Sequence, residues 1–254
     1  MRVSKQPEKI RAVVTCDYHI PFLDQNVFNT MLSFTKKYKP NLFVINGDFM
    51  DMYSLSDFEK NPERVNNLQQ EIDLAKKVLK QIKRTVGKKC RVVLLEGNHE
   101  NRLQKFIWRN KELKDLNILT LPSLLGLGEL GIDFIPANRD YWRTQNGHFS
   151  LNNLIITHGD SRLNGTATSK YSGYSAKNSM YNLNTNIIIG HCHRLAQVYA
   201  TTPDRTLIGI EGGSLCVKTG TANWQQGFVS FEQSTTDFKP TLHFINQKSP
   251  KLYK

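Results

Sequence analysis

Leu42-Phe43-Val44-Ile45-Asn46-Gly47-Asp48-Phe49-Met50-Asp51 is a short apolar run that stops at a glycine flanked by polar groups. An unbroken run of this length reads as a strand buried on both faces. Gly47 gives the chain a tight exit and leaves Asp48 at the strand tip. Asp51 reads separately, as the acceptor that caps a following helix. Working outward, the same pattern recurs four times. Arg11 to Cys16 leads into Asp17-Tyr18-His19, and Arg91 to Leu95 into Glu96-Gly97-Asn98-His99-Glu100. Asn153 to Thr157 leads into His158-Gly159-Asp160, and Asn186 to Ile189 into Gly190-His191-Cys192-His193.

Helical spacing fills the gaps. Gln25 to Tyr38 is one such segment. Glu63 to Thr85 is another, with Val65, Leu68, Ile72, Ala75, Leu79 and Ile82 on one apolar stripe. Arg102 to Trp108 forms a third, aromatic-rich helix. Strand and helix alternate, so the fold class is α/β. From Ala196 the chain turns strand-rich, with Ala196 to Thr201, Thr206 to Ile210, Gln226 to Glu232 and Thr241 to Ile245 separated by turn residues. That stretch suggests a second sheet. Two sheets packed face to face with helices outside would bring most of the strand-end loops to one edge.

A length of 254 residues suits one domain, 1–254. With 39% hydrophobic and 22% charged residues, disordered, collagen-like and coiled-coil readings are excluded. No apolar run approaches the roughly 20 residues of a membrane span, and Met1 to Arg11 lacks the apolar core of a secretory signal. The expected location is the cytoplasm, with no membrane partner. Four scattered cysteines, Cys16, Cys90, Cys192 and Cys216, fit reduced thiols rather than a disulfide or zinc-knuckle framework. A formal charge of +12 favours an anionic partner, although a merely solvated basic surface explains it equally well.

Each polar cluster is weak evidence by itself: DxH is a common surface turn, and a lone histidine is usually a packing residue. Together they are not. Asp17 and His19, two apart in an extended segment, would point the same way, as would His191 and His193. Strands ending in these histidines should be neighbours of the earlier ones. Carboxylates and imidazoles gathered at a partly buried edge repel and desolvate one another unless cations join them. Mixed nitrogen and oxygen donors suit zinc, manganese, iron or nickel better than calcium. Asn98 would be a neutral oxygen ligand, His99 a donor to phosphate, and Glu100 an orienter of His99 or a helix cap.

In order, DYH, GDFMD, GNHE, HGD and GHCH resemble the five signature blocks of the calcineurin-like metallophosphoesterases, a superfamily that also includes purple acid phosphatases and Mre11-type nucleases. The resemblance runs from Asp17 to His193. It implies a four-layer α/β/β/α sandwich of two mixed sheets flanked by helices, with metals at the strand ends. It also implies two divalent metal ions, manganese ahead of iron, zinc or nickel. Asp17, His19 and His193 would hold one, Asn98, His158 and His191 the other, and Asp48 would bridge them. Asp48, Asn98 and His99 would be the catalytic residues, with a metal-bound hydroxide attacking phosphorus and His99 acting outside the coordination shell. Cys192 would pack inward.

The activity so implied is that of a metal-dependent phosphoric ester hydrolase, a phosphatase or phosphodiesterase. The partner is a phosphate-ester substrate, with nucleotides and nucleic acids among the candidates. One rival is an Mre11-like DNA or RNA nuclease; another is a basic nucleic-acid-binding module with a silent metal site. Asp160 to Tyr181 would be a recognition loop, in which Lys170, Tyr171 and Tyr174 contact phosphate or stack on bases, or else an ordinary rim. Arg102 and Arg194 carry the same two readings. Leu121 to Leu130 reads as core more simply than as an oligomer surface.

Overall fold

The computed structural model describes residues 9–57, 59, 67–137, 147–160, 166, 168–218, 223–235, 237–245 and 252–253. In chain order the elements are β1 (Ile10–Thr15), α1 (Gln25–Tyr38), β2 (Leu42–Asn46), α2 (Leu68–Val86), β3 (Arg91–Leu95) and α3 (Asn101–Arg109). They continue with α4 (Leu121–Leu125), α5 (Leu127–Leu130), β4 (Ile132–Ile135), β5 (His148–Leu151), β6 (Leu154–Thr157), α6 (Tyr174–Leu183) and β7 (Asn186–Ile189). The last five are β8 (Leu195–Thr201), β9 (Thr206–Gly212), β10 (Gly227–Gln233), β11 (Phe238–Ile245) and β12 (Leu252–Tyr253).

Two mixed sheets result. One has the order β12-β11-β10-β1-β2-β3-β4, the other β5-β6-β7-β9-β8. The central strands carry no polar alternation because both of their faces are covered. Val13, Phe43, Ile45, Val92 and Leu94 face α1 and α2, where they meet Phe28, Met31, Ile72, Leu79 and Ile82. Their neighbours Ala12, Val14, Val44, Val93 and Leu95 face Ile156, Ile188 and Ile210 of the second sheet. Ile187, Ile189 and Leu207 cover the far side of that sheet against Ala176 and Met180 of α6. Three apolar interfaces therefore separate four layers, helix, sheet, sheet and helix.

The helix ends follow local chemistry. Asp24 caps α1 by accepting from the backbone of Asn26 and Val27, and Asn67 caps α2 by accepting from Gln69. The stripe expected from Glu63 begins at Leu68 within the described residues, and Val65 lies outside them. Leu121, Leu125 and Leu127 are buried in the first core, as the simpler reading of that segment had it. Among the described residues no helix is long and apolar enough to cross a membrane.

Two expectations about sheets are corrected. The strands that deliver His158 and His191 are not neighbours of β1 to β3; β6 and β7 pair with each other in the second sheet. The strands after Gly212 do not extend the second sheet either. β10 returns to pair antiparallel with β1, and β11 pairs with β10. Buried strands carry no pattern that tells which sheet they join, so packing alone decides it. The two sheets meet at their loop ends through Asn46, whose amide donates to the Thr157 carbonyl at 2.8 Å.

Candidate metal centre

The loops after β1 and β2 run side by side. His19 and Ile20 donate their backbone N–H to the carbonyls of Asp48 and Phe49 at 2.9 and 3.0 Å. Tyr18, fully buried, turns its ring into the core against Phe49 and Phe28. With Tyr18 inside, its two neighbours are left for the opposite side. They are not extended, however. Asp17, His19, Asp48, His191 and His193 have φ between 45° and 64°, and they make up five of the nine left-handed non-glycine residues among those described. Such backbone is costly for residues with a Cβ and persists only where the surroundings enforce it. Its concentration here marks the site.

Two donor sets form. In the first, His193 Nε2 lies 2.9 Å from His19 Nε2 and 3.4 Å from Asp17 Oδ1. In the second, His158 Nε2 lies 3.1 Å from Asp48 Oδ2 and 3.0 Å from Asn98 Oδ1, and Asn98 Oδ1 is 2.9 Å from His191 Nδ1. Asp48 Oδ2 sits between them, also 3.8 Å from His19 Nε2. All seven residues expected as metal ligands are thus brought together. His191 and His193, expected to project alike, go to different sets because each has its own left-handed turn.

The far ring nitrogens show what the near ones are for. His158 Nδ1 faces the Asn46 carbonyl at 3.0 Å and His19 Nδ1 faces Asp51 Oδ1 at 3.2 Å, so both carry their proton there. In neutral His158 the lone pair of Nε2 then points at two oxygens, and in neutral His19 it points at another imidazole nitrogen. Acceptors facing acceptors need a cation among them, and a second partner fixing the imidazole is the usual arrangement around a metal ion. Buried oxygen and nitrogen donors at this spacing fit divalent metal ions.

The charges respond accordingly. Burial opposes the Asp48 carboxylate, but His158, His99 and His19 outweigh it and hold its pKa well below the usual range. Burial likewise opposes charged His158 and His193, yet Asp48 and Asp17 respectively push each up to about 10. A raised imidazole stabilises the fold fully below its ordinary value of 6.5, and the benefit is lost as pH rises through about 10. Chelator-treated protein is therefore expected to lose thermal stability over that window. Metal uptake near pH 7.5 should displace protons from His158 and His193, giving calorimetric heats that scale with buffer ionisation enthalpy. Buffer-independent heats would contradict this picture.

His99 stands beside the two sets, its Nε2 3.9 Å from Asp48 Oδ2 and its backbone N–H on Asp48 Oδ1 at 2.9 Å. Asp51 is not a helix cap. The 3-10 turn that follows is capped by Met52 without a side-chain bond, while the Asp51 carboxylate receives His19 Nδ1 at 3.2 Å and His99 Nδ1 at 3.0 Å. Burial opposes the His99 imidazolium, but Asp51 and then Asp48 raise its pKa overall. Glu100 neither orients His99 nor caps α3. Its carboxylate accepts the backbone N–H of Asp48, Met50 and Gly97 at 3.1, 2.7 and 2.8 Å, and burial and then Asp48 raise it to about 7.

Arg102 donates to the Asp51 carbonyl at 2.6 Å and brings its other nitrogen to 3.5 Å from His99 Nε2. Arg194 is tied up structurally, its Nε 3.1 Å from buried Glu211. Cys192 has its thiol pushed up to about 12, first by burial, and all four cysteines are free. Sequence reasoning missed three supports: Asp51, the Asn46 carbonyl and Trp224, whose ring lies 4.3 Å from that of His193. Asp51 alone had a signal, its place in the GDFMD block.

A family model described as calcineurin-like phosphoesterase matches residues 10–195, a span that includes both donor sets. The gene 54 proteins of Mycobacterium phages L5 and D29 are 27% and 28% identical to the chain, each match covering 91% of it and 92% of the relative. A metallophosphoesterase from Sphaerobacter thermophilus shares the fold, with a TM-score of 0.50 at 12% identity over 93% of this chain and 88% of that one.

Proposed function

The chain belongs to the calcineurin-like phosphoesterase family, and from that premise we propose that it hydrolyses phosphate esters at a dinuclear centre. Asp17, His19 and His193 hold one divalent ion, Asn98, His158 and His191 the other, and Asp48 serves both. The observation that carries this reading is Asp48 Oδ2, shared between two converging donor sets. Manganese is the proposed ion, ahead of iron, zinc or nickel. Bound divalent ions supply activation of water and neutralise charge on the phosphoryl oxygens.

The chain's own groups do the rest. His99, fixed at Nδ1 by Asp51, presents Nε2 toward the centre and, with its raised pKa, carries a proton there near neutrality. That proton goes to the leaving oxygen or stabilises charge on the phosphoryl group. Arg102 adds a fixed positive charge beside it and holds the Asp51 backbone in place. Asn98 positions without adding charge, so the second donor set has a lower negative charge than a carboxylate would give it. Glu100 braces Asp48 and Gly97 from behind by accepting their N–H groups.

The test is hydrolysis of p-nitrophenyl phosphate and bis(p-nitrophenyl) phosphate by protein loaded separately with manganese, iron, zinc and nickel. Activity should vanish with chelator and return with metal. His99→Ala should lower kcat by about 10²- to 10³-fold with metal content unchanged. No hydrolysis with any metal, or full activity in His99→Ala, would count against the proposal.

A further inference from the structure

Arg194 follows the candidate ligand His193 and is itself only 8% exposed. Besides Glu211, its guanidinium grips the Ser169 and Lys170 carbonyls at 2.5 and 3.3 Å. The backbone entering α6 is therefore anchored directly behind the metal centre. From that anchor two tyrosines emerge into solvent, Tyr171 at 59% and Tyr174 at 49% exposure. Their rings lie 5.8 Å apart at an angle of 59°. Lys170 Nζ sits 5.3 Å from the Tyr171 ring, and Lys177 Nζ 5.3 Å from the Tyr174 ring. Gly173 fixes this turn against β8, since its φ is +80° and a Cβ there would stand 2.8 Å from Val198.

Single exposed aromatics mean little. Here two adjacent rings each carry a cation, on a segment rigidly tied to the centre. Residues 161–203 contain no Asp or Glu, while Lys170, Lys177 and Arg194 fall within them. The segment suits a polyanion with flat groups: lysines for phosphates, tyrosine faces for bases. On the other side of His193, the Trp224 ring walls the centre.

We propose that this strip binds single-stranded nucleic acid and leads it to the metal centre, which makes the substrate class a DNA or RNA strand. The proposal rests on the phosphoesterase reading for its chemistry but not for its binding. Small esters fill only the metal centre; a strand uses the strip as well. Duplex bases are already stacked and cannot lie on the tyrosines, so a single strand is the occupant.

The experiment is fluorescence anisotropy with labelled oligothymidylate and oligouridylate of about 20 nucleotides, longer than one strip needs. Chelator prevents hydrolysis, and a duplex serves as competitor. Tyr171→Ala with Tyr174→Ala should weaken binding about tenfold or more, and Tyr171→Phe with Tyr174→Phe should restore it. Lys170→Gln with Lys177→Gln should flatten the salt dependence of log K by about 1. Equal affinity of the alanine variant and the parent, or preference for duplex, overturns the strip. Hydrolysis of bis(p-nitrophenyl) phosphate without tyrosine-dependent strand binding sinks the strip and leaves the phosphoesterase reading intact. Tyrosine-dependent binding with no ester hydrolysed under any metal does the reverse.

Discussion

Asp48→Asn is expected to lower hydrolysis of p-nitrophenyl esters by about 10³-fold or more, roughly 4 kcal/mol of lost transition-state stabilisation. The carboxylate is the one group in reach of both donor sets. Its Oδ1 is pinned by the His99 backbone N–H at 2.9 Å, and its Oδ2 lies 3.1 Å from His158 and 3.8 Å from His19. Asparagine keeps the shape and removes the charge. An amide nitrogen turned toward His158 would place a donor where a cation belongs, so metal content should fall from two ions per chain toward one or none. Circular dichroism of the variant should match the parent. Metal-loaded Asp48→Asn with activity within tenfold of the parent would rule out a central role for this carboxylate.

Gly97→Ala is the second large effect, and it acts through packing. A Cβ on Gly97 would stand 2.2 Å from both Asp48 N and Asp48 Oδ1. The loop cannot back away cheaply, because Gly97 N and Asp48 N are both held by Glu100 Oε2, at 2.8 and 3.1 Å. Relief requires breaking one of these buried bonds or displacing Asp48. The expected cost is about 3 kcal/mol or more, at the upper end for overpacking, with loss of activity alongside. Urea unfolding measures the first and ester hydrolysis the second. Gly128→Ala in α5 is the matched control, since nothing lies within 4 Å of a Cβ there; helix propensity predicts a gain of about 0.5–1 kcal/mol. Equal stability of Gly97→Ala and the parent would mean that the loop yields freely.

Much of this centre was legible because its donors stand at the ends of apolar runs. Strands such as Leu42–Asn46 are hydrophobic for a local reason, burial on both faces, and so their ends are visible in one sequence. The roles of Asp51 and Glu100 were not legible. An acidic residue after a strand or before a helix has an ordinary use as a cap, and nothing nearby in the chain shows that Asp51 meets His19 and His99 or that Glu100 gathers three backbone N–H groups. Those partners are separated in sequence and meet only when β1, β2 and β3 align.

By itself, then, the amino-acid sequence determined the chemistry and order of the donors, the α/β alternation and the five strand-end blocks that carry the site. These depend on residue type and short-range spacing. Tertiary structure decided which sheet each strand joins, sending β6 and β7 into the second sheet and β10 back to β1. It also decided that His191 and His193, two residues apart, serve different donor sets. The physical reason is shared: sheet pairing and left-handed backbone at Asp17, His19, Asp48, His191 and His193 are imposed by long-range packing against local preference. The sharing of Asp48 between the two sets exists only once that packing is complete.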